Sequence, residues 1–345
     1  MPDIKLVVWN MEWMNDLFVS NAQPADFRPD NDDVGREGAV VTVRERRDDL
    51  SGVLNELKPD AVVVVEGPNR DEELQLFFDV DVNGDWKTKV QHTSGSTQDV
   101  GIAVRVDLGK FEDPPFDPTD TNNMPAFDPF NADTDGDGIE ENHKFERRPL
   151  YVEVKPQGGK PFRILGLHLK SKLVYGAYEW SKWWQLADAN RKKLLAQTTQ
   201  LRLKFLDPFL TQNATSDVPL IVCGDVNDGP GMDASEKRLF GSAMERLMGT
   251  VWKPDLCLGN ALFDALKSKQ KAALDFSSIV TASFKDPIFD WKWQRVWLDH
   301  VLYSRSQGQW VTNAKIHEVM AGGQKIWAKY RHSSDHFPIS VKVTT

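Results

Sequence analysis

The sequence is short of cysteine, of long apolar runs and of net positive charge, and each shortage excludes a class of protein. Two cysteines in 345 residues, Cys223 and Cys257, cannot build a disulfide framework. Cys223 lies inside an apolar run, so both read as reduced packing residues. No stretch approaches the roughly 18 to 20 apolar residues of a membrane span, so no stable membrane insertion is expected. No secretory pattern opens the chain: Asp3 and Lys5 stand where charge should give way to an apolar core, and Trp9 and Asn10 follow at once. A cytoplasmic location is the default expectation. Acidic residues outnumber basic ones, 51 to 42, for a formal net charge of -9. Proteins held to duplex nucleic acid by charge alone are usually basic, which argues against a passive nucleic-acid-binding module. It does not argue against an enzyme that meets phosphate through metal ions.

What is present is an ordinary globular composition, 40% hydrophobic and 27% charged, enough for a full core. Short apolar runs recur along the chain. Ile4 to Asn10, Ala61 to Val65, Val100 to Val106, Leu150 to Val154, Phe162 to Leu169, Leu220 to Cys223, Trp297 to Tyr303, Trp310 to Val319 and Ile339 to Val343 read as strands. Thr42 to Leu57 and Asp188 to Leu206 read as amphipathic helices ended by Pro59 and Pro208. Two polar stretches, near 15–40 and 107–144, are too long for ordinary connections and read as insertions. No repeat or linker divides the chain, so one α/β domain over residues 1–345 is expected.

The strands end in a repeated way. Ile4 to Val8 runs into Asn10 and Glu12, Val62 to Val65 into Glu66, and Ile164 to Leu167 into His168 with Lys170 behind it. Leu220 to Cys223 runs into Asp225 and Asn227. Leu298 precedes Asp299 and His300, and the chain nears its end in Ser334, Asp335, His336. Any one of these, taken alone, reads as a turn or packing residue. Six in the same context point to a shared cleft at one sheet edge. The residue types suit phosphoester hydrolysis. Glu66 and Glu12 offer hard oxygens to a divalent cation, while carboxylates and imidazoles can orient water and stabilise charge on phosphate. Asn10 and Glu12, two apart, share a face if the strand continues, as do Asp225 and Asn227.

These segments, in this order, resemble the endonuclease/exonuclease/phosphatase superfamily, the deoxyribonuclease-I-like fold. The resemblance rests on WN at Trp9-Asn10, DAVVVVE from Asp60 to Glu66, RRPL from Arg147 to Leu150 and GLHLKSK from Gly166 to Lys172. It continues through GDVN from Gly224 to Asn227, LDHVL from Leu298 to Leu302 and SDHFP from Ser334 to Pro338. It implies a four-layer α-β-β-α sandwich of two packed mixed sheets. It also implies Glu66 as ligand of Mg2+ (or Mn2+), with Asn10, Glu12 and Asp335 beside it. Asp225 and Asn227 then orient water and phosphate, His336 is the catalytic histidine oriented by Asp299, and His168 assists at the phosphate. Arg147, and Lys170 near it, stand where phosphate is contacted. The acidic partner of His168 has no match, and His300 reads as a fold residue.

Two features lie outside that pattern. Asp133, Asp135 and Asp137 alternate with Gly136 and Gly138 as in a calcium loop, with Lys144 where an EF-hand has Glu and Glu141 or Glu140 as substitute. Structural Ca2+ is therefore expected there, against a solvated acidic loop. Twelve Trp are many. Trp180, Trp183 and Trp184 follow the His168 strand, and Trp291, Trp293 and Trp297 precede Asp299. They read first as packing, and otherwise as a wall for bases or lipid chains. The leading functional expectation is a metal-dependent nuclease-type phosphodiesterase acting on nucleic acid, with no obligate protein partner. The alternatives are action on a lipid headgroup, inositol phosphate or other small phosphoester, or a non-catalytic calcium-stabilised binding protein.

Overall fold

The computed structural model describes residues 3–35, 40–96, 98–174, 179–229, 239, 241–286 and 292–345. Trp291 and the side chain of Trp180 lie outside the described residues. The first sheet contains β1 (Ile4–Asn10), β2 (Ala61–Gly67), β3 (Trp86–Gln91), β4 (Asp99–Arg105), β15 (Val311–Ile316) and β16 (Ile339–Val343), in the order β15-β16-β1-β2-β4-β3. The second contains β5 (Phe111–Thr119), β8 (Leu150–Pro156), β9 (Phe162–His168), β10 (Leu220–Asp225), β11 (Gly259–Asn260) and β14 (Asp299–Tyr303), in the order β11-β14-β10-β9-β8-β5. Two hairpins stand apart, β6 (Phe130–Ala132) with β7 (Glu141–His143), and β12 (Ala282–Asp286) with β13 (Lys292–Val296). Each large sheet has one parallel pair near its centre, β1 with β2 and β9 with β10, and its other pairings are antiparallel.

Strand periodicity sorts the side chains into layers, because successive residues face opposite sides. Ile4, Leu6 and Val8 of β1, Ala61 and Val63 of β2, Ile164 of β9 and Ile221 and Cys223 of β10 fill the space between the sheets. Val7, Trp9, Val62 and Val64 face outward against helices α1 (Val43–Leu57) and α2 (Asp71–Asp81), through Leu50, Val53, Leu54, Phe77 and Phe78. Leu165, Leu167 and Val222 face the opposite way, against Leu194 of α3 (Trp180–Gln200) and Leu201 and Phe205 beyond it. The layers are α-β-β-α, as expected. Helix α1 begins with a reciprocal capping box between Thr42 and Glu45, whose loss costs about 1 kcal/mol. Among the described residues, no helix is long and apolar enough to cross a membrane.

Several expectations are corrected in detail. The 107–144 stretch is not wholly an insertion, since β5 within it forms an edge of the second sheet. Pro114, Pro115 and Pro118 hid that strand. An edge position tolerates their missing donors, and the pairing with β8 is irregular between Phe111 and Phe116. Pro208 does not end the long helix. A π turn, Leu201–Leu206, follows α3, and Pro208 opens a further short helix, Asp207–Thr211, where its missing N–H is harmless. Cys223 is buried and Cys257 partly so, both free, in keeping with the packing role.

His317, buried behind β15 and β16, shares a 2.8 Å hydrogen bond with the Ser340 hydroxyl. Burial, and then the charges of Lys315 and Lys5, push its pKa down to about 4. Its folded-state pKa is depressed, so the unfolded chain takes up the proton first as pH falls from 6.5 toward 4. We predict that this contribution to stability, on the order of 3 kcal/mol, is lost over that window. Denaturant titrations should show a smaller acid loss for His317→Gln than for the parent. Parallel pH profiles would contradict the assignment.

Candidate active site

The inward-facing rows that fill the core between the sheets do not end in apolar residues. By the same alternation that buries Ile221 and Cys223, Asp225 closes the row of β10. His168 closes that of β9, and Asp299 begins that of β14. Registry places Asp225 opposite His168 on one side and opposite Asp299 on the other. The three therefore lie side by side on one face, at the end where the core runs out. Asn10 ends β1 on the facing sheet, and its amide nitrogen lies 3.2 Å from Asp225 Oδ2 and 3.1 Å from Glu66 Oε1. Carboxylate and imidazole atoms of Glu66, His168 and Asp225 all fall within 4.8 Å of one another, as do those of Asp225, Asp299 and His336. His336 Nδ1 is 2.7 Å from Asp299 Oδ2.

Local backbone devices aim these groups. The pairing of β2 with β4 is interrupted between Val64 and Gly67, and Glu66 there has φ 54°. A bulge of this kind turns a side chain out of the ladder, and for Glu the left-handed region is strained. Asn227 is left-handed too, at φ 57°, and its N–H donates to Asp225 Oδ1 at 2.8 Å while its amide donates to the Leu169 carbonyl at 3.1 Å. Gly224 has φ 124°, and a Cβ there would stand 2.1 Å from the Leu167 carbonyl oxygen, so no other residue fits before Asp225. The strands do not continue past Asn10 or Asp225. Glu12, at φ 46°, turns aside, and its Oε2 accepts the Asp335 N–H at 3.0 Å. Glu12 and Asp335 thus meet each other at the rim beside His336, with Asp335 Oδ1 3.9 Å from His336 Nε2.

Burial and like charge set the protonation states. Burial, then Asp299, and further on Glu66 raise the Asp225 carboxyl to about 7, against the opposing pull of His336. Burial favours the neutral His336 ring, but Asp299, Asp335 and Asp225 outweigh it and hold the imidazolium well above its ordinary range. His168 is driven the other way, by burial and then by the positive charges of Arg147 and His336, and stays neutral. Its Nε2 faces Glu66 at 3.6 Å and Asp225 at 3.9 Å.

The remaining sequence candidates lie at the margin. Arg147, destabilised as a cation by burial, donates to Gln98 Oε1 at 2.9 Å and to the Leu169 and His168 carbonyls at 3.1 and 3.4 Å. Its bonds support the end of β9. Lys170 is half-buried near Glu146, Lys193 and Arg147, and burial lowers its pKa. Sequence reading missed Gln98, whose amide links Glu66 to Arg147. It also missed Thr281, whose Oγ1 accepts the N–H groups of both Leu298 and Asp299 at 2.9 Å. Neither belongs to a motif or a strand-end acidic pattern, so no sequence signal marks them. His300, 2.7 Å from the Asp228 carbonyl and stacked on Trp297, is a packing residue as expected. Trp297 is buried, whereas Trp293 and Trp184 are more than half exposed.

Asp133, Asp135 and Asp137 also converge within 4.8 Å, remote in sequence from this cluster. Lys192 of α3 bridges them to Glu141, with Nζ 2.8 Å from Asp135 and 2.9 Å from Glu141.

A sandwich whose inward rows end in carboxylates, amides and a carboxylate-paired imidazole defines a class, the deoxyribonuclease-I-like hydrolases of phosphoester bonds. A model of the Endonuclease/Exonuclease/phosphatase family matches residues 9–336, and the chain belongs to that family. Comparison with curated protein sequences gives no match. Among solved structures, AP endonuclease LMAP from Leishmania major aligns with a TM-score of 0.50 at 15% identity, over 99% of this chain and 88% of that one. D. rerio TDP2 with a single-strand DNA product gives 0.49 at 14% identity, over 99% of both chains. The human Nocturnin catalytic domain with bound sulfate gives 0.46 at 14% identity, over 99% of this chain and 93% of that one. The Leishmania structure shows the shared fold.

The His336 assignment has a direct check. We predict that Asp299→Asn, which removes the strongest of the carboxylates holding the imidazolium, shifts the His336 titration midpoint downward in NMR spectra. An unshifted midpoint in the folded variant would show that Asp299 is not its partner.

Proposed function

We propose that the chain is a metal-dependent phosphodiesterase of the nuclease type, acting as one catalytic unit over its length. The observation that carries this reading is the Asp299–His336 pair, 2.7 Å apart, beside the buried Asp225 carboxylate. A carboxylate and a carboxylate-paired imidazole side by side suit the removal of a proton from an attacking water. The His336 imidazolium, held in place by Asp299, supplies donor charge to phosphate oxygens. The Asn10 amide lies between Glu66 and Asp225 and holds both carboxylates in register. Asn227 fixes Asp225 through its backbone N–H. His168, neutral and buried, faces Glu66 and Asp225 through Nε2 and would assist at the phosphate.

The donor set suits a hard cation. Glu66 and Asp225 present carboxylate oxygens close to the Asn10 amide, and their mutual repulsion is of the kind that a cation relieves. Glu66 would hold Mg2+ or Mn2+, with Asn10 beside it and Asp335 and Glu12 at the rim. Bound there, the ion would neutralise phosphate charge. Nucleic acid is the favoured substrate. Exposed Trp13 directly follows the site residue Glu12, and exposed Trp293 on the β12–β13 hairpin has Lys285 5.5 Å from its ring centre. That hairpin joins the site through the Ser283 N–H, which donates to the Asp335 carbonyl at 2.8 Å. Exposed rings beside cations are the elements that stack on single-stranded bases. Action on a lipid headgroup or other small phosphoester is the second reading, favoured by the acidic charge.

The test is hydrolysis of single-stranded DNA, RNA, bis(p-nitrophenyl) phosphate, sphingomyelin and inositol phosphates with Mg2+ or Mn2+. Asp225→Asn and His336→Ala are each expected to lose about 10² to 10⁴ in rate while staying folded. Chelator should abolish activity, and Glu66→Gln should weaken Mg2+ affinity. Wild-type turnover in either folded variant, or full activity in chelator, would reject the assignment.

For the acidic loop we propose Ca2+ binding in competition with Lys192, which already neutralises Asp135 and Glu141. Added Ca2+ is expected to raise the melting temperature, and to raise it more in Lys192→Gln than in the parent. No shift in either protein would leave Lys192 as the loop's cation.

A further inference from the structure

The site loops converge on a side chain that no motif marks. Arg46, the fourth residue of α1, is 1% exposed and among the largest fully buried side chains. Its guanidinium points to backbone carbonyls of two separate loops. Nη2 donates to Met11 at 2.6 Å and to Glu12 at 2.7 Å. Nη1 donates to His332 and Ser333. One turn further on α1, Asp49 Oδ2 accepts the His332 N–H at 2.7 Å. The helix therefore grips the His332 segment by both its carbonyl and its N–H.

Both loops end in the candidate site. The Glu12 N–H donates to Asn10 Oδ1 at 2.9 Å, and Glu12 Oε2 accepts from Asp335. Ser334 Oγ donates to the Asn10 carbonyl at 2.8 Å and accepts the His336 N–H at 3.0 Å. The loop carrying Glu12 comes from β1 and the loop carrying His336 comes from 324 residues later in the chain. Buried carbonyls need donors, and a planar guanidinium with five N–H groups in a fixed fork can serve four carbonyls of two loops at once, one more than an ammonium has donors for. We infer that Arg46 is a positioning residue for the phosphoester chemistry: it clamps the Met11–Glu12 and His332–Ser333 loops together and so sets His336 and Asp335 against Asn10. The inference rests on the phosphodiesterase reading for its kinetic consequence, and on the loop geometry for its structural one.

Arg47 supplies the control. It neighbours Arg46 on the same helix and is similarly buried, but it pairs with Asp81 through two 2.9 Å bonds and with Asp30 at 3.2 Å. Its ring contact is Phe27, 3.5 Å away. Losing either arginine removes buried hydrogen bonds, and only Arg46 holds site loops. The experiment compares Arg46→Met, Arg46→Lys and Arg47→Met in the full chain, with bis(p-nitrophenyl) phosphate and Mn2+, at a temperature where all three are folded. Arg46→Met should lower kcat by about 10- to 100-fold with KM changed less than about twofold, the penalty of a misplaced reacting group. Arg46→Lys should recover part of that loss, and Arg47→Met should keep the parent kcat. Hydrogen–deuterium exchange should rise at 11–13 and 332–337 in the Arg46 variants alone. If the parent hydrolyses nothing, the phosphodiesterase reading fails, and the exchange pattern still decides whether the clamp exists. Equal kcat in Arg46→Met and Arg47→Met, or exchange rising alike in both, overturns the inference. If Arg46→Met does not fold, Arg46→Gln takes its place in the same comparison.

Discussion

The structure depends on two parallel strand pairs packed face to face. Each pair presents a dry inward row, Leu6 and Val8 with Val63 on one sheet, Ile221 and Cys223 with Ile164 on the other. Those rows exclude water from the space between the sheets, and Asn10, His168 and Asp225 cap them. Taking carboxylates out of water is expensive unless they are paired, hydrogen-bonded or protonated. The same packing that stabilises the fold therefore tunes the site. It raises Asp225, keeps His168 neutral, and makes the Asp299–His336 pair stronger than a surface ion pair would be.

Placement of the site at one end of the sandwich follows from registry. Asp299, Asp225 and His168 are direct neighbours across three strands, so their separation is a property of the sheet and not of loops. The groups from the facing sheet are held differently. Glu66 leaves its strand at a bulge, and Glu12, Asp335 and His336 sit on loops. Those groups need tethers, and Ser334, Gln98 and Arg46 supply them.

The aromatic residues divide along the same line. Trp9 and Trp297 are buried, with indole N–H groups bonded to the His336 and Asp299 carbonyls at 3.0 Å. They brace the site from behind. Trp13 and Trp293 are exposed at its margin. Composition counted these together, although their surroundings differ.

The apolar runs and their polar ends were legible in the sequence because strand periodicity is local: which face Val8 or Cys223 takes is decided by its immediate neighbours. The GDVN and SDHFP segments could be read through their resemblance to family segments, whereas the need for Gly224 comes from the Leu167 carbonyl of the neighbouring strand. Helix α2 and strand β3 went unread, and β5 was concealed by its prolines, because an edge strand is defined by the partner it lacks. What only the tertiary structure decided was how separate segments meet. That Glu66 would turn out at a bulge, that Lys192 would reach Asp135 and Glu141, and that Arg46 of an outer helix would clamp loops from opposite ends of the chain all depend on long-range packing. Contacts between residues hundreds of positions apart leave no trace in local spacing, and a buried arginine on an amphipathic helix has the same sequence signature as a solvated one.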